Sequence, residues 1–372
     1  MKTGISKTRL IALAMILLAT LALSWVQGHA LAAESAVTTH TNVDTPTPTP
    51  KINFTTLDFD WQDTNRNRPV PVRLYFPDAA SAARPAPLIV FSHGIGGSRN
   101  GYTYLGKYWA NQGFASLHLQ HVGSDRSLWF GNPLTLAERL QNAAQDNEAI
   151  ARAQDHHFAL DRLLSMPDLA QKIDHQRVVA AGHSYGANTT MLVVGATVER
   201  NGRLLNYGDP RVKAAIILSA PPFYGSGDSQ RILGNVLVPT LHITATEDVI
   251  RIPGYFSGSA DRIAIYDSMS ATSGAKKVLA VFEGGSHSVF TDRTGTGGVT
   301  LNPQVKEATR QLSLAFLRSL FDADESSLVQ WQQQFSPILA QFTMTAQGRQ
   351  TNKVGSGWRP EPAAGGQIRA SH

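Results

Sequence analysis

The stretch Val178-Val179-Ala180-Ala181-Gly182-His183-Ser184-Tyr185-Gly186-Ala187 decides how this chain folds. Four apolar residues in a row, with no polar alternation, suit a parallel strand buried on both faces. The run ends in Gly-x-Ser-x-Gly and continues into a helix-compatible segment, so it reads as strand, sharp turn and helix. At such a turn a serine sits in strained backbone geometry, its hydroxyl projects from the sheet edge, and the next amide, that of Tyr185, faces the same space. Gly182 and Gly186 have a steric reason. A side chain two residues either side of Ser184 would press on the neighbouring strand or the incoming helix, whereas His183 and Tyr185 can point away. In a chain with 31 glycines the bare motif can arise by chance, and the flanking strand and helix give it its weight.

Outward from this stretch, strand-like segments at residues 87–92, 114–119, 177–182, 214–219, 240–244 and 278–282 alternate with helix-like ones. The helices are expected at about 101–111, 134–165 (whole or interrupted), 187–198, 260–269 and 304–321. Strand and helix in alternation predict an α/β fold, a mostly parallel central sheet with helices on both faces. Residues 54–61 and 70–76, separated by the polar turn Asp63-Thr64-Asn65-Arg66-Asn67, suit an antiparallel hairpin at the N-terminal edge of that sheet. The main domain is therefore expected over 53–342. Residues 343–372, rich in Gly, Gln, Pro and polar residues with Trp358 as the large apolar group, read as a poorly ordered tail.

The 372 residues suffice for one large domain or two smaller ones, and the single alternating pattern favours one. Lys2, Lys7 and Arg9 precede an apolar run at 10–26, and small residues follow at Ala30, Ala32 and Ala33. This reads as a secretory signal peptide over 1–32, cleaved near Ala32, which predicts a secreted or periplasmic protein with no membrane span after cleavage. An uncleaved anchor is the alternative, because the run is at the lower limit for crossing a bilayer. Residues 33–52, with Thr45-Pro46-Thr47-Pro48-Thr49-Pro50, are either an extended linker or a disordered N-terminus. There is no cysteine, hence neither disulfides nor lipoprotein attachment, and the fold must rest on its own core. Removing Lys2, Lys7 and Arg9 lowers the net charge of +5 by three to +2, too weak to imply a nucleic-acid partner. No motif reports the oligomeric state.

A serine hydroxyl is a poor nucleophile at neutral pH; it needs a general base, itself best held by a carboxylate. The strand-like segment at 238–244 runs into a loop carrying Asp248, and the one at 279–282 runs into Glu283-Gly284-Gly285-Ser286-His287. Ser184, Asp248 and His287 stand in the order expected for a strand-turn-helix serine hydrolase. Glu247 adjoins Asp248 and is the rival acid, although a site one residue earlier would point differently. The mechanism also requires two backbone donors aimed at a developing oxyanion. The Tyr185 amide is one; the amide of Ile95, in His93-Gly94-Ile95-Gly96-Gly97, is the natural second, since the glycines let backbone approach a substrate unobstructed. That glycine loop is no dinucleotide site, because the third glycine of the fingerprint would fall at Arg99. His118, His121, His183 and His242 read as structural, no metal-ligand spacing stands out, and no cofactor is expected.

Together, His93-Gly94-Ile95-Gly96-Gly97, Gly182-His183-Ser184-Tyr185-Gly186, Asp248 and His287 resemble an α/β-hydrolase. More narrowly, they resemble dienelactone-hydrolase-like esterases, the branch that includes platelet-activating-factor acetylhydrolases and cutinase-like polyester hydrolases. The resemblance covers about residues 53–320. It implies attack by Ser184 on an ester carbonyl, His287 as base and then acid, Asp248 orienting the imidazole, and release of an acyl-enzyme by water. Dienelactone hydrolases proper use a cysteine nucleophile, which this chain lacks. Specificity should lie in loops at the carboxyl ends of strands, where Trp129 and Phe130, Phe223 and Tyr224, and Tyr255 and Phe256 either line an acyl pocket or anchor their loops. Polyester hydrolases usually carry a tryptophan in the loop corresponding to 221–225, where this chain has Phe223 and Tyr224. Residues 122–134 are too few for a large lid, so an open site for soluble or short-chain esters is expected. A phospholipid-directed acetylhydrolase, a polyester hydrolase and a non-catalytic binding protein on the same fold are the alternatives.

Overall fold

The computed structural model describes residues 53–223, 228–252, 255–269, 275–346 and 349–355; the expected signal peptide and linker lie outside them. The chain divides between Lys51 and Ile52, and every described residue belongs to the second unit. Ten strands build its central sheet: β1 (Phe54–Asp63), β2 (Arg68–Pro77), β3 (Ala86–Ser92), β4 (Ala115–Leu119), β5 (Ile173–His183), β8 (Val212–Leu218), β9 (Thr240–Ala245), β12 (Lys277–Phe282), β13 (Leu339–Ala346) and β14 (Arg349–Gly355). Two small ribbons lie outside it, β6 (Thr197–Arg200) with β7 (Arg203–Asn206), and β10 (Ile250–Ile252) with β11 (Tyr255–Ser257). The spatial order is β1-β2-β4-β3-β5-β8-β9-β12-β13-β14. From β4 to β12 neighbours run parallel, and both flanks are antiparallel. This is the α/β-hydrolase arrangement.

The uniform apolar runs explain the centre of the sheet. Every residue of β3, β9 and β12 is buried, as a strand covered on both faces requires. Successive side chains feed opposite cores: Leu88, Val90, Val178 and Ala180 pack with the helices Asp146–Leu164 and Tyr185–Val193, while Ile89, Phe91, Val179 and Ala181 pack with Thr103–Asn111 and Leu301–Phe321. β1, by contrast, alternates from Leu57 onward between covered and exposed positions at the solvated edge.

Two expectations are corrected. The helix expected over 187–198 ends at Val193; Gly195 turns the chain at φ +111°, and β6 begins at Thr197. The boundary at residue 342 falls inside β13, and the presumed tail begins instead as a β13–β14 hairpin on the edge of β12. Phe342 is buried against Trp331 with ring centroids 5.3 Å apart, and Met344, two residues on, packs against the same core. The expected 134–165 helix is two, Leu136–Ala143 and Asp146–Leu164. Among the described residues no helix is long and apolar enough to cross a membrane.

Candidate active site

The loops after β3, β5, β9 and β12 all leave the carboxyl edge of the parallel strands, and they bring together His93 to Gly97, Ser184, Asp248 and His287. Ser184 sits at the break between β5 and the following helix with φ 55° and ψ −121°. A non-glycine residue at positive φ costs on the order of 1–3 kcal/mol, so it persists only where its surroundings hold it. Here the Ser184 amide donates to the Leu218 carbonyl at 2.9 Å, and the Ser184 carbonyl opens the helix by accepting from Ala187 at 2.9 Å. The glycines act as their spacing implies. A Cβ on Gly182 would come within 2.2 Å of the Gly186 carbonyl oxygen, and one on Gly186 within 1.9 Å of the Ser92 carbonyl oxygen.

Ser184 Oγ lies 2.8 Å from His287 Nε2, and His287 Nδ1 lies 2.8 Å from Asp248 Oδ1. Glu247 is exposed; Asp248 is fully buried. The loops of acid and histidine are tied by the Gly284 amide, which donates to Thr246 Oγ1 at 2.8 Å. Three further residues surround the acid, none of them singled out by sequence. Ser219 Oγ lies 2.6 Å from His287 Nδ1, Thr244 Oγ1 donates to Asp248 Oδ2 at 2.7 Å, and the buried Arg262 guanidinium lies 3.5 Å from Asp248 Oδ1. Burial alone would raise the Asp248 pKa, but Arg262 and then His287 outweigh it and hold the carboxyl well below the usual carboxylate range. Ser219 itself has φ 52°, a second strained serine beside the first. The only sequence signal for it is a hydroxyl closing the apolar strand next to β5. Ser219→Ala, losing one hydrogen bond to the imidazole, should lower kcat roughly five- to tenfold, about 1–1.5 kcal/mol, and leave KM within twofold. Unchanged steady-state kinetics would mean that Asp248 alone orients the ring.

The loop after β3 lies against Ser184: a Cβ on Gly94 would stand 3.2 Å from Ser184 Cβ. Its amides are accounted for almost completely. Gly94 donates to the Tyr102 hydroxyl at 3.3 Å, Gly96 to the Ser124 carbonyl at 2.8 Å and Gly97 to the Gly94 carbonyl at 3.0 Å. Among the described residues the Ile95 and Tyr185 amides donate to no protein acceptor, which leaves both free for a ligand.

His183, read as structural, stands within this site as a neutral spacer. The His287 carbonyl can only accept, so His183 Nε2 carries the proton that bridges to it at 3.0 Å. His183 Nδ1 then accepts from the Tyr102 hydroxyl at 2.8 Å, and Tyr102 in turn receives the Gly94 amide. Burial, and after it the neighbouring His287, bring the His183 pKa down to about 3, and burial lifts that of Tyr102 to about 12. Both groups thus keep the protonation this chain requires. His121 lies beyond the end of β4. Of the candidate pocket residues, Trp129 is 46% exposed and its Nε1 donates to the Gly96 carbonyl at 2.8 Å, so it lies over the glycine loop. Phe130 is 64% exposed, Phe223 is half-buried against the core, and Tyr224 lies outside the described residues.

Residues 78–144, which include β3, the glycine loop, β4 and Trp129, match the family model described as platelet-activating factor acetylhydrolase, isoform II. No curated protein matches the chain. The family match supports a function of the serine esterase or acetylhydrolase kind. The chain carries the α/β-hydrolase fold and is similar, over residues 78–144, to platelet-activating factor acetylhydrolase, isoform II.

Proposed function

We propose that the protein is a serine carboxylic-ester hydrolase working through an acyl-enzyme. The observation that carries this reading is the chain Ser184 Oγ, His287 Nε2, His287 Nδ1, Asp248 Oδ1, each link 2.8 Å, beside two unpaired amides. Ser184 Oγ attacks the ester carbonyl carbon while its proton passes to His287 Nε2. The carbonyl oxygen becomes an oxyanion held by the Ile95 and Tyr185 amides, each such donor being worth roughly 3 kcal/mol of barrier. Collapse expels the alcohol, which takes the proton from His287 and leaves Ser184 acylated. Water, deprotonated by His287, attacks the acyl carbon; the carboxylic acid leaves and Ser184 recovers its proton. Asp248 orients the imidazole through Nδ1 and steadies the imidazolium formed in both halves.

The positively charged start, the apolar run at 10–26 and Ala30 to Ala32 support export with cleavage near Ala32. A phospholipid-directed acetylhydrolase is the second reading, favoured by the match over 78–144, which takes in both the glycine loop and Trp129.

Labelling with a fluorophosphonate followed by peptide mapping tests the mechanism. One adduct on Ser184, absent from Ser184→Ala and His287→Ala, is the expected outcome. A folded protein that takes no label at Ser184 would refute the hydrolase reading in favour of a binding protein on this fold. With the label established, short-chain p-nitrophenyl esters against an sn-2 acetyl phospholipid separate the two substrate classes.

A further inference from the structure

Beneath the glycine loop lies a buried polar network that the mechanism above leaves unused. Ser92 Oγ, His121 and Asp155 form a chain with both links 3.0 Å, and Asp155 pairs with Arg66 and Arg68, the latter also with Glu148. Each of these charges has an opposite partner. Arg152 makes no direct ion pair: it is 0% exposed, among the described residues no carboxylate comes within ion-pair distance of it, and Glu148 reaches it only through the Ser124 hydroxyl, which donates to Glu148 Oε1 at 2.8 Å. Burial is the main influence on it and lowers its pKa only to about 10, so it is charged at neutral pH. A buried cation without a directly paired counter-ion is costly, and it persists only where its hydrogen bonds and surroundings are specified.

Those bonds converge on the two halves of the oxyanion site. Nη2 donates to the His93 carbonyl, Nη1 to Ser124 Oγ at 2.8 Å and Nε to Thr189 Oγ1 at 2.9 Å. The guanidinium carbon lies 4.5 Å from the centre of the Tyr185 ring, close enough for cation–π attraction. The Tyr185 hydroxyl is buried with no hydrogen-bond partner, so the guanidinium is the polar group that fixes this ring. On the loop side, His93 Nε2 accepts the His121 amide, which puts the ring proton on Nδ1, and Nδ1 donates to the Gly94 carbonyl at 2.7 Å. A trans peptide sends its carbonyl and its N–H in opposite directions. With the Gly94 carbonyl held inward by His93 and Gly97, the Ile95 N–H of the same peptide must face outward.

We infer that Arg152 is a positioning residue for the oxyanion hole: it clamps the His93 carbonyl on the loop and the Tyr185 ring after the nucleophile, setting the separation of the Ile95 and Tyr185 amides. It touches no reacting atom. The inference rests on the serine-hydrolase reading. Removing an oxyanion donor outright costs about 10²–10³ in kcat, so loosening two donors through Arg152→Met should cost roughly 10–100-fold with KM within about threefold.

Destabilisation alone could also slow the enzyme, so the test reads the oxyanion directly. An alkyl trifluoromethyl ketone labelled with ¹³C at its carbonyl forms a hemiketal with Ser184, and its carbon resonance reports the pH at which the hemiketal oxygen ionises. In Arg152→Met this ionisation should move up by about one pH unit for each tenfold of lost stabilisation. Arg152→Lys, which keeps the charge but cannot hold His93, Ser124 and Thr189 together, should shift in the same direction by less. A hemiketal that ionises in Arg152→Met at the wild-type pH, whatever the loss in melting temperature, would make Arg152 merely structural and overturn the inference. If Arg152→Met does not fold, the Arg152→Lys titration decides on the same criterion. A wild-type protein that forms no hemiketal at Ser184 overturns the hydrolase reading and this inference with it.

Discussion

Asp248→Asn should cut turnover of a soluble ester roughly 10⁴-fold and destabilise the fold by about 3–5 kcal/mol. The two losses have different origins. On the proposed mechanism catalysis suffers because the imidazolium formed at His287 would be steadied by the Asp248 charge 2.8 Å away. In the variant, a cationic ring and the Arg262 guanidinium would share a neutral amide between them. Stability suffers because Arg262, buried and 3.5 Å from Asp248 Oδ1, loses its counter-charge and has Nε and Nη2 without hydrogen bonds. Asp248→Asn/Arg262→Leu removes that stranded cation and should regain stability in urea unfolding without regaining turnover. The pH dependence follows from the same pair. Asp248 ionises more readily folded than at its ordinary value of 3.8, so its contribution is complete above that pH and is lost as the pH falls from there toward the lower folded value. Turnover within tenfold of wild type would mean that another group, Glu247 first among them, orients His287.

The contrast between Asp248 and Arg262 shows which parts of this molecule a sequence displays. Residues 178–187 read as strand, turn and helix because a strand covered on both faces must be apolar throughout and an elbow this tight tolerates only glycine beside it. Asp248 and His287 stand out because each follows an apolar strand in a chemically fixed order. Arg262 carries no comparable mark. It lies on the helix Ser259–Ser268, where an arginine reads as solvated, and only the approach of that helix to β9 buries it against the acid. Arg152 is hidden likewise within Asp146–Leu164, and Ser219 looks like any strand-ending serine. The β13–β14 hairpin was obscured by composition: glutamine and threonine between the apolar residues of a strand resemble a polar tail unless Phe342 is seen to pack on Trp331.

Gly186→Ala should cost about 3 kcal/mol or more in stability and at least roughly 10²-fold in kcat, against what helix propensity alone suggests. Gly186 lies in the first turn of the helix Tyr185–Val193 at ordinary φ, where alanine would otherwise be favoured by about 1 kcal/mol. The space is already taken. The new Cβ would stand 1.9 Å from the Ser92 carbonyl oxygen, 2.5 Å from its carbon and 2.8 Å from the His93 carbonyl oxygen. All three are main-chain atoms of β3 and the glycine loop, so no rotamer can relieve the contact, and the helix must withdraw from the strand. Ser184 and Tyr185 withdraw with it, while Ile95 stays on the loop; on the proposed mechanism the nucleophile and the two oxyanion donors then no longer face one carbonyl. Gly101→Ala is the control, since its Cβ would meet nothing closer than the Ser98 carbonyl oxygen at 3.4 Å and its φ is not positive. Thermal melts and ester kinetics on both variants decide the matter: a Gly186→Ala protein as stable and active as Gly101→Ala would mean that the helix does not press on β3, and that the glycine's place in the motif has some other cause.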